Sequence, residues 1–138
     1  MLDFIHAWNS LVPGNYPGGI DELFILIHGD ADLLHIDGQN MTEDGAYRFS
    51  QLNKINAVKH ITLCSCYGGL TKHNNSVAKR LANLSYAPVK ACTTKVCFTQ
   101  VFGVYFKYSY WFGLWSGRWI TAFPLYESPK GSWRAMAS

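Results

Sequence analysis

Two apolar runs stand out in the pattern of hydrophobic and polar positions, and each leads into a side chain that can do chemistry. The first run, Leu23–Ile27, is followed by His28 and a glycine. The second, Ile61–Cys66, is followed by a Tyr-Gly-Gly turn. Short apolar runs bounded by turn residues are typical of buried β-strands. We therefore predict one strand that ends at His28 and a second that ends near Cys66.

Two helices are predicted after these strands. Following a cap at Thr42 or Asp44, apolar residues recur at helical spacing, which predicts a helix to about Asn53. Its apolar face would be formed by Ala46, Phe49 and Leu52. Ser76 is a suitable N-cap for the second helix, which Pro88 ends. The apolar face of that helix would consist of Val77, Leu81 and Leu84.

A third strand, Val89–Thr93, is predicted after the second helix. The order strand, helix, strand, helix, strand indicates an α/β fold with a parallel sheet and right-handed crossovers. In such sheets the functional site lies beyond the carboxyl ends of the strands. His28, Cys66 and the Thr93-Thr94 pair all lie at such ends, so topology alone brings them to one edge.

The rest of the chain predicts smaller elements. We expect a helix over Asp3–Asn9 and a short hairpin arm over Leu33–Ile36. The aromatic final third predicts a β-hairpin in which Val104–Trp111 pairs with Arg118–Phe123. The 138 residues are interpreted as one domain. Its parts are an N-terminal helix and loop (1–22), an α/β core (23–96), the aromatic hairpin (97–126) and a tail (127–138).

The composition limits the classes of function. With 49% hydrophobic and 15% charged residues, the chain is globular rather than disordered. The net charge is only +3 and the basic residues are scattered, which argues against a nucleic-acid partner. The longest apolar stretch, 96–123, is interrupted by Lys107 and Arg118, so no transmembrane segment is expected.

The four cysteines, Cys64, Cys66, Cys92 and Cys97, are enough for two disulfides. We favour reduced thiols, because two of them fall within apolar strand-like runs and residues 1–10 do not resemble a signal peptide. The protein is therefore expected to be cytoplasmic, or delivered into the cytosol of a host or target cell.

A cysteine and a histidine at one sheet edge are the minimum for a thiol nucleophile with an acid–base partner. His28 can take the proton of the Cys66 thiol and later protonate the leaving amine. The backbone N–H groups of Gly29 and Cys66 are candidates for an oxyanion hole. Gly29 has no Cβ, which lets the chain approach a substrate closely. This chemistry requires no cofactor and no metal.

The two motifs resemble the signature of the caspase-like cysteine peptidases. This clan includes caspases, metacaspases, clostripain, legumain, separase and the autoprocessing domains of large bacterial toxins. Phe24–Gly29 resembles the first half and Ile61–Gly69 the second, and 38 residues separate His28 from Cys66, near the roughly 50 of caspases. The resemblance covers about Leu23–Val96. The Gln-Ala-Cys-Arg-Gly form of caspases is absent and only 22 residues precede the first strand, which favours the bacterial toxin and effector branch.

The resemblance implies a three-layer caspase-like α/β sandwich and a cysteine endopeptidase that acts on a protein or peptide. His28 would be the catalytic histidine and Cys66 the nucleophile. The strand after the nucleophile would help to form the substrate pocket, and an activating ligand is a feature of toxin-like members. Candidate pocket residues are Thr93, Thr94 and Lys95, together with Asp30, whose carboxylate could attract a basic side chain.

Other interpretations stay open. His28 and Cys66 could be structural residues, and Cys64 is a rival nucleophile. A metal site built from dispersed His and Cys residues would lack any Cys-x-x-Cys pair. A catalytically inactive relative could bind a protein through its aromatic hairpin. The same Cys–His pair could also serve a deamidase or an acyltransferase.

Overall fold

The protein is described by a computed structural model. The structure describes residues 1–72, 75–101, 104–110 and 118–126, with the backbone alone at 97–101 and 104–110. The described elements are α1 (Leu2–Asn9), β1 (Leu23–Leu26), β2 (His28–Asp30), β3 (Leu33–Ile36), β4 (Gln39–Thr42), β5 (Tyr47–Arg48), a 3₁₀ turn (Phe49–Gln51), β6 (Ile61–Cys64), α2 (Val77–Ser85), β7 (Val89–Cys92), β8 (Lys95–Val101), β9 (Val104–Tyr110) and β10 (Trp119–Ala122). The fold is mixed α/β and mostly strands.

The main sheet holds the two predicted apolar runs as neighbours. Its strand order is β1-β6-β7-β10, with β1, β6 and β7 parallel and β10 antiparallel at the edge. Leu26 in β1 lies opposite Cys64 in β6, and Leu63 lies opposite Ala91 in β7. The predicted parallel arrangement of three strands is therefore confirmed.

The chain segment that connects β1 to β6 forms a second sheet, with the strand order β2-β3-β4-β5. The first strand was predicted to end at His28, but β1 ends at Leu26 and His28 begins β2. Between β3 and β4 the chain turns at Asp37 and Gly38, which both have positive φ angles, 52° and 74°. Two-residue turns of this kind match the twist of paired strands. The hairpin arm predicted over 33–36 is confirmed as β3.

The helix predicted from Thr42 to Asn53 is wrong. The segment instead contains the end of β4, β5 and a single 3₁₀ turn. Phe49 and Leu52 are nevertheless buried, at 4% and 2% exposure. Their spacing correctly predicted that both residues are buried. It did not predict the secondary structure, because an Asp-Gly pair within the segment favours a turn over a helix.

The other two predicted helices form. The Trp8 indole in α1 donates a hydrogen bond to the Asn53 carbonyl at 2.9 Å. At the start of α2 the Ser76 hydroxyl accepts a hydrogen bond from the Lys79 backbone N–H at 3.0 Å, which confirms the predicted N-cap. Tyr86 ends α2 in a left-handed conformation. This helix forms the crossover between the parallel strands β6 and β7.

Both helices contribute to one core on a single face of the main sheet. The alternating side chains that the main sheet adds to this core are Ile25, Ile61, Leu63, Val89 and Ala91. A smaller cluster on the opposite face contains Leu26, Cys64, Cys92, Val96 and Trp119. The three-layer caspase-like arrangement stays a prediction.

The aromatic segment pairs differently from the prediction. Strand β9 pairs with β8 rather than with residues 118–123, and β10 joins the main sheet beside β7. Alternating apolar residues predict strands but do not specify their partners. Trp111 and the tail at 127–138 lie outside the described residues.

Candidate active site

The carboxyl ends of β1 and β6 leave the main sheet side by side. Leu26 lies opposite Cys64, and the Ile27 backbone N–H donates to the Cys64 carbonyl at 3.1 Å, so the pairing continues past both strands. His28 follows Ile27 directly, and Cys66 lies two residues after Cys64. The parallel register therefore brings the two candidate residues to the same edge of the sheet.

Gly29 packs directly against Ser65, and this contact joins the histidine motif to the cysteine motif. A Cβ atom on Gly29 would clash with the Ser65 hydroxyl oxygen and would lie 2.8 Å from the Leu33 carbonyl oxygen. The Ser65 side chain is only 1% exposed, and its hydroxyl has no hydrogen-bond partner among the described residues. Only glycine allows the backbone beside His28 to approach the residue before Cys66 this closely.

Two more glycines shape the loop that follows Cys66. Gly68 and Gly69 are both buried. A Cβ on Gly68 would lie 2.8 Å from Cδ2 of Leu63, and a Cβ on Gly69 would lie 2.9 Å from Cγ1 of Ile120. The absence of side chains lets this loop fold back against the sheet and hold Cys66 at its rim.

Cys66 is the accessible thiol of this region. It is half-buried, whereas Cys64 and Cys92 are 2% and 0% exposed. The Cys66 thiol lies 3.7 Å from the Val96 carbonyl oxygen, to which it donates a weak hydrogen bond. Because a nucleophile must be reached by its substrate, this difference in exposure favours Cys66 over its rival Cys64.

His28 is exposed at the start of β2. Within the described part of the chain, the only hydrogen bond of the Cys66 thiol is the one to Val96, so the His28 ring does not contact the thiol through a hydrogen bond. Catalytic pairs are often loose without substrate and tighten when it binds. The Cys66 backbone N–H has no carbonyl partner among the described residues, which leaves it available to an oxyanion.

The predicted pocket residues that follow β7 lie close to the Cys66 loop. The Thr94 carbonyl accepts a hydrogen bond from the Tyr67 backbone N–H at 2.9 Å. The Thr93 backbone N–H donates to the carbonyl of Arg118, the residue just before β10, at 2.9 Å. Lys95 is exposed. The segment after β7 is therefore held beside the candidate nucleophile by backbone hydrogen bonds.

Two acidic residues follow Gly29. Asp30 is exposed, and one of its carboxylate oxygens accepts a hydrogen bond from the Ala31 backbone N–H at 2.7 Å. Asp32 pairs with Lys72 at 3.2 Å, which links the loop after His28 to the loop after Cys66. Since both partners of this pair are about half exposed, it contributes at most about 1 kcal/mol. Asp30 makes no ion pair within the described part of the chain.

Sequence reasoning considered His35 only among dispersed candidate metal ligands and missed Asn40. His35 lies opposite His28 across β2 and β3, and Nδ1 of His35 lies 2.6 Å from Oδ1 of Asn40. The Asp-Gly turn between β3 and β4 was the signal that could have found them. Counting outward from that turn places His35 opposite Asn40.

Among the residues that the structure describes, no three His, Cys, Asp or Glu side chains are grouped so that they could hold an ion. None of the helices in this described part is long and apolar enough to cross a membrane.

Comparison with known proteins gives a family but no activity. Residues 5–107 match DUF8616, a domain of unknown function, and the chain belongs to this family. The matched region contains both candidate motifs, the second sheet and α2. No curated protein and no solved structure matches the chain.

Proposed function

We propose that this protein is a cysteine endopeptidase of the caspase-like type, with Cys66 as nucleophile and His28 as its acid–base partner. The observation that carries the proposal is the contact of Gly29 with Ser65, because it joins the histidine motif to the cysteine motif. The resemblance of both motifs to this clan supports the same assignment. A three-layer sandwich is part of the proposal.

In the proposed reaction His28 takes the proton of the Cys66 thiol, and the thiolate attacks the carbonyl carbon of the substrate. The carbonyl electron pair moves onto oxygen, where the N–H groups of Cys66 and Gly29 stabilise the anion. When the tetrahedral intermediate collapses, the C–N bond breaks and His28 gives its proton to the leaving amine. Water, deprotonated by His28, then hydrolyses the acyl-enzyme to the carboxylic acid and the free thiol.

The substrate would lie between the two loops. The segment Thr93–Lys95 would form one wall of the pocket, since Thr94 is bonded to the loop after Cys66. Asp30 would attract a basic side chain from the side of His28, because its charge has no described ion-pair partner. The free thiols of Cys66 and Cys92 fit a reducing compartment such as a cytosol.

A thiol probe tests the nucleophile without knowledge of the substrate. Intact protein is treated with iodoacetamide at neutral pH, and the modified cysteines are located by mass spectrometry. We expect Cys66 to react fastest and His28→Ala to slow it by about tenfold. The matched control is His60→Ala, an exposed histidine just before β6, at the other end of that strand. Equal, slow labelling of several cysteines would contradict the proposal and favour a catalytically inactive binding module.

Incubation with a peptide library then identifies the reaction. Cleavage by the wild type that is lost in Cys66→Ser is the result expected of an endopeptidase. A mass gain of about one dalton without cleavage, from exchange of NH₂ for OH, would instead make the same pair the site of a deamidase.

A further inference from the structure

A row of polar side chains crosses one face of the second sheet. His28 in β2 lies opposite His35 in β3, which in turn lies opposite Asn40 in β4. Directly opposite residues point to the same face, with Cβ atoms about 5 Å apart. All three are exposed, whereas Leu34 and Met41 on the other face are 0% exposed in the core. The row is therefore presented to solvent by two anchored strands.

Asn40 determines which nitrogen of His35 carries hydrogen. Nδ1 of His35 and Oδ1 of Asn40 are 2.6 Å apart, within hydrogen-bond distance. An amide oxygen only accepts, so the hydrogen lies on Nδ1. A neutral imidazole has a single N–H group, which leaves the Nε2 atom of His35 with a lone pair that can accept another hydrogen bond.

We propose that His35, held by Asn40, is a positioning residue for His28; this inference rests on the proposed function. When His28 receives the proton of Cys66, both of its ring nitrogens carry hydrogen. One N–H faces the thiolate, and the other needs an acceptor. The Nε2 atom of His35 on the neighbouring strand supplies it, which orients the ring and stabilises the imidazolium.

The bond between the two rings is absent in the resting structure and forms when His28 becomes charged. Among the described residues, the charged and titratable groups on the segments around His28 include Asp30 on the same face of β2, His35 on β3, the Asp32–Lys72 pair, the Cys66 thiol and Tyr67. Of these groups, His35 lies directly opposite His28 on the paired strand β3. It is therefore placed to orient the His28 ring through a hydrogen bond and not only through charge.

The test is the pH dependence of Cys66 modification by iodoacetamide in the full chain, from pH 5 to 9. We expect His35→Ala and Asn40→Ala to lower the rate near pH 6 by about two- to fivefold, the effect of one hydrogen bond. Near pH 9 the rate should be unchanged, because the thiolate then forms without help. His35→Gln should keep most of the wild-type rate, since its side-chain oxygen can accept the same bond.

A spectroscopic readout separates positioning from a general structural effect. Nitrogen-15 chemical shifts of the His28 ring report which ring nitrogen carries hydrogen. The His35→Ala variant should change the tautomer ratio of His28, and His35→Gln should leave it close to the wild type.

The outcomes distinguish this inference from the function on which it rests. If His28→Ala slows modification of Cys66 but His35→Ala and Asn40→Ala follow the wild type at every pH, the positioning role is wrong and the proposed function stands. If His28→Ala had the same pH dependence of Cys66 modification as the wild type, both the positioning role and the proposed function would be wrong. An equal loss in His35→Gln and His35→Ala would also overturn the positioning role. Should His35→Ala fail to fold, Asn40→Ala and His35→Gln decide the question.

Discussion

Replacement of Gly29 by alanine tests the contact on which the candidate site depends. The new Cβ would clash with the Ser65 hydroxyl and would lie 2.8 Å from the Leu33 carbonyl oxygen and 3.5 Å from Cδ2 of Leu34. The first clash can be relieved only by moving the buried Ser65 side chain out of its rotamer, which costs on the order of 1 kcal/mol. The contact with Leu33 involves the backbone, so β2 and β3 must shift to relieve it.

Overpacking of this kind costs about 1–3 kcal/mol of the free energy of unfolding. Ser65→Ala alone should be neutral or slightly stabilising, since it removes a buried hydroxyl that has no described partner. With Ser65 shortened, Gly29→Ala should cost about 1 kcal/mol less than in the wild type. The remaining cost is the backbone contact with Leu33, which no change at Ser65 can remove.

The assay is urea denaturation followed by tryptophan fluorescence and circular dichroism, with all four members of the Gly29/Ser65 double-mutant cycle. Gly18→Ala is the matched control, because a Cβ at that glycine meets nothing within 4 Å. We expect this control to fall within about 1 kcal/mol of the wild type, on the stabilising side. Iodoacetamide labelling of the Gly29→Ala variant should also lose its preference for Cys66.

Two results would refute the reasoning. Gly29→Ala could be as stable as the wild type, which would mean that the two motifs are not in contact. Alternatively, Gly29→Ala could cost the same with and without the Ser65 hydroxyl, which would mean that Ser65 is not the residue it meets.

Three further predictions concern the scaffold. Ser76→Ala should lower the free energy of unfolding by about 1 kcal/mol because α2 loses its N-cap, and Ser76→Asp should retain it in the same urea titration. Gly38→Ala should cost about 1 kcal/mol, because alanine is strained at a φ of 74°, whereas Gly14→Ala, where no positive φ occurs, should not. The Arg80 guanidinium, 2.7 Å from Glu43, lowers the pKa of that carboxyl from its usual 4.5. The folded protein therefore binds fewer protons there than the unfolded chain, so the small stabilisation is present above pH 4.5 and is lost as the pH falls through the lowered value. Thermal melts between pH 3 and 6 should show a shallower acid decline in Glu43→Gln than in the wild type, and identical declines would contradict the assignment.

Local patterns in the sequence were sufficient for the three parallel strands of the main sheet and for α1 and α2. The apolar run before His28 and the run that ends at Cys66 became β1 and β6, and the Ser76 cap began α2 where expected. Burial of Phe49 was predicted from its spacing although no α-helix formed there. These features depend on short-range preferences, namely apolar periodicity and capping, which residues close together in the chain determine.

The partners of strands and side chains were decided only by the tertiary structure. The pairing of β10 with β7 rather than β9, and the position of His35 opposite His28, depend on which segments meet across the fold. The same holds for the contact of Gly29 with Ser65, which are far apart in the chain.

The sequence by itself thus determined that a histidine and a cysteine would follow two neighbouring parallel strands, although β1 ends at Leu26 and His28 begins β2. Only the folded chain decided how closely their loops pack and which polar side chains surround them. The spacing of apolar residues depends only on neighbours in the chain. Contacts between side chains depend on surfaces that form only after distant segments have come together.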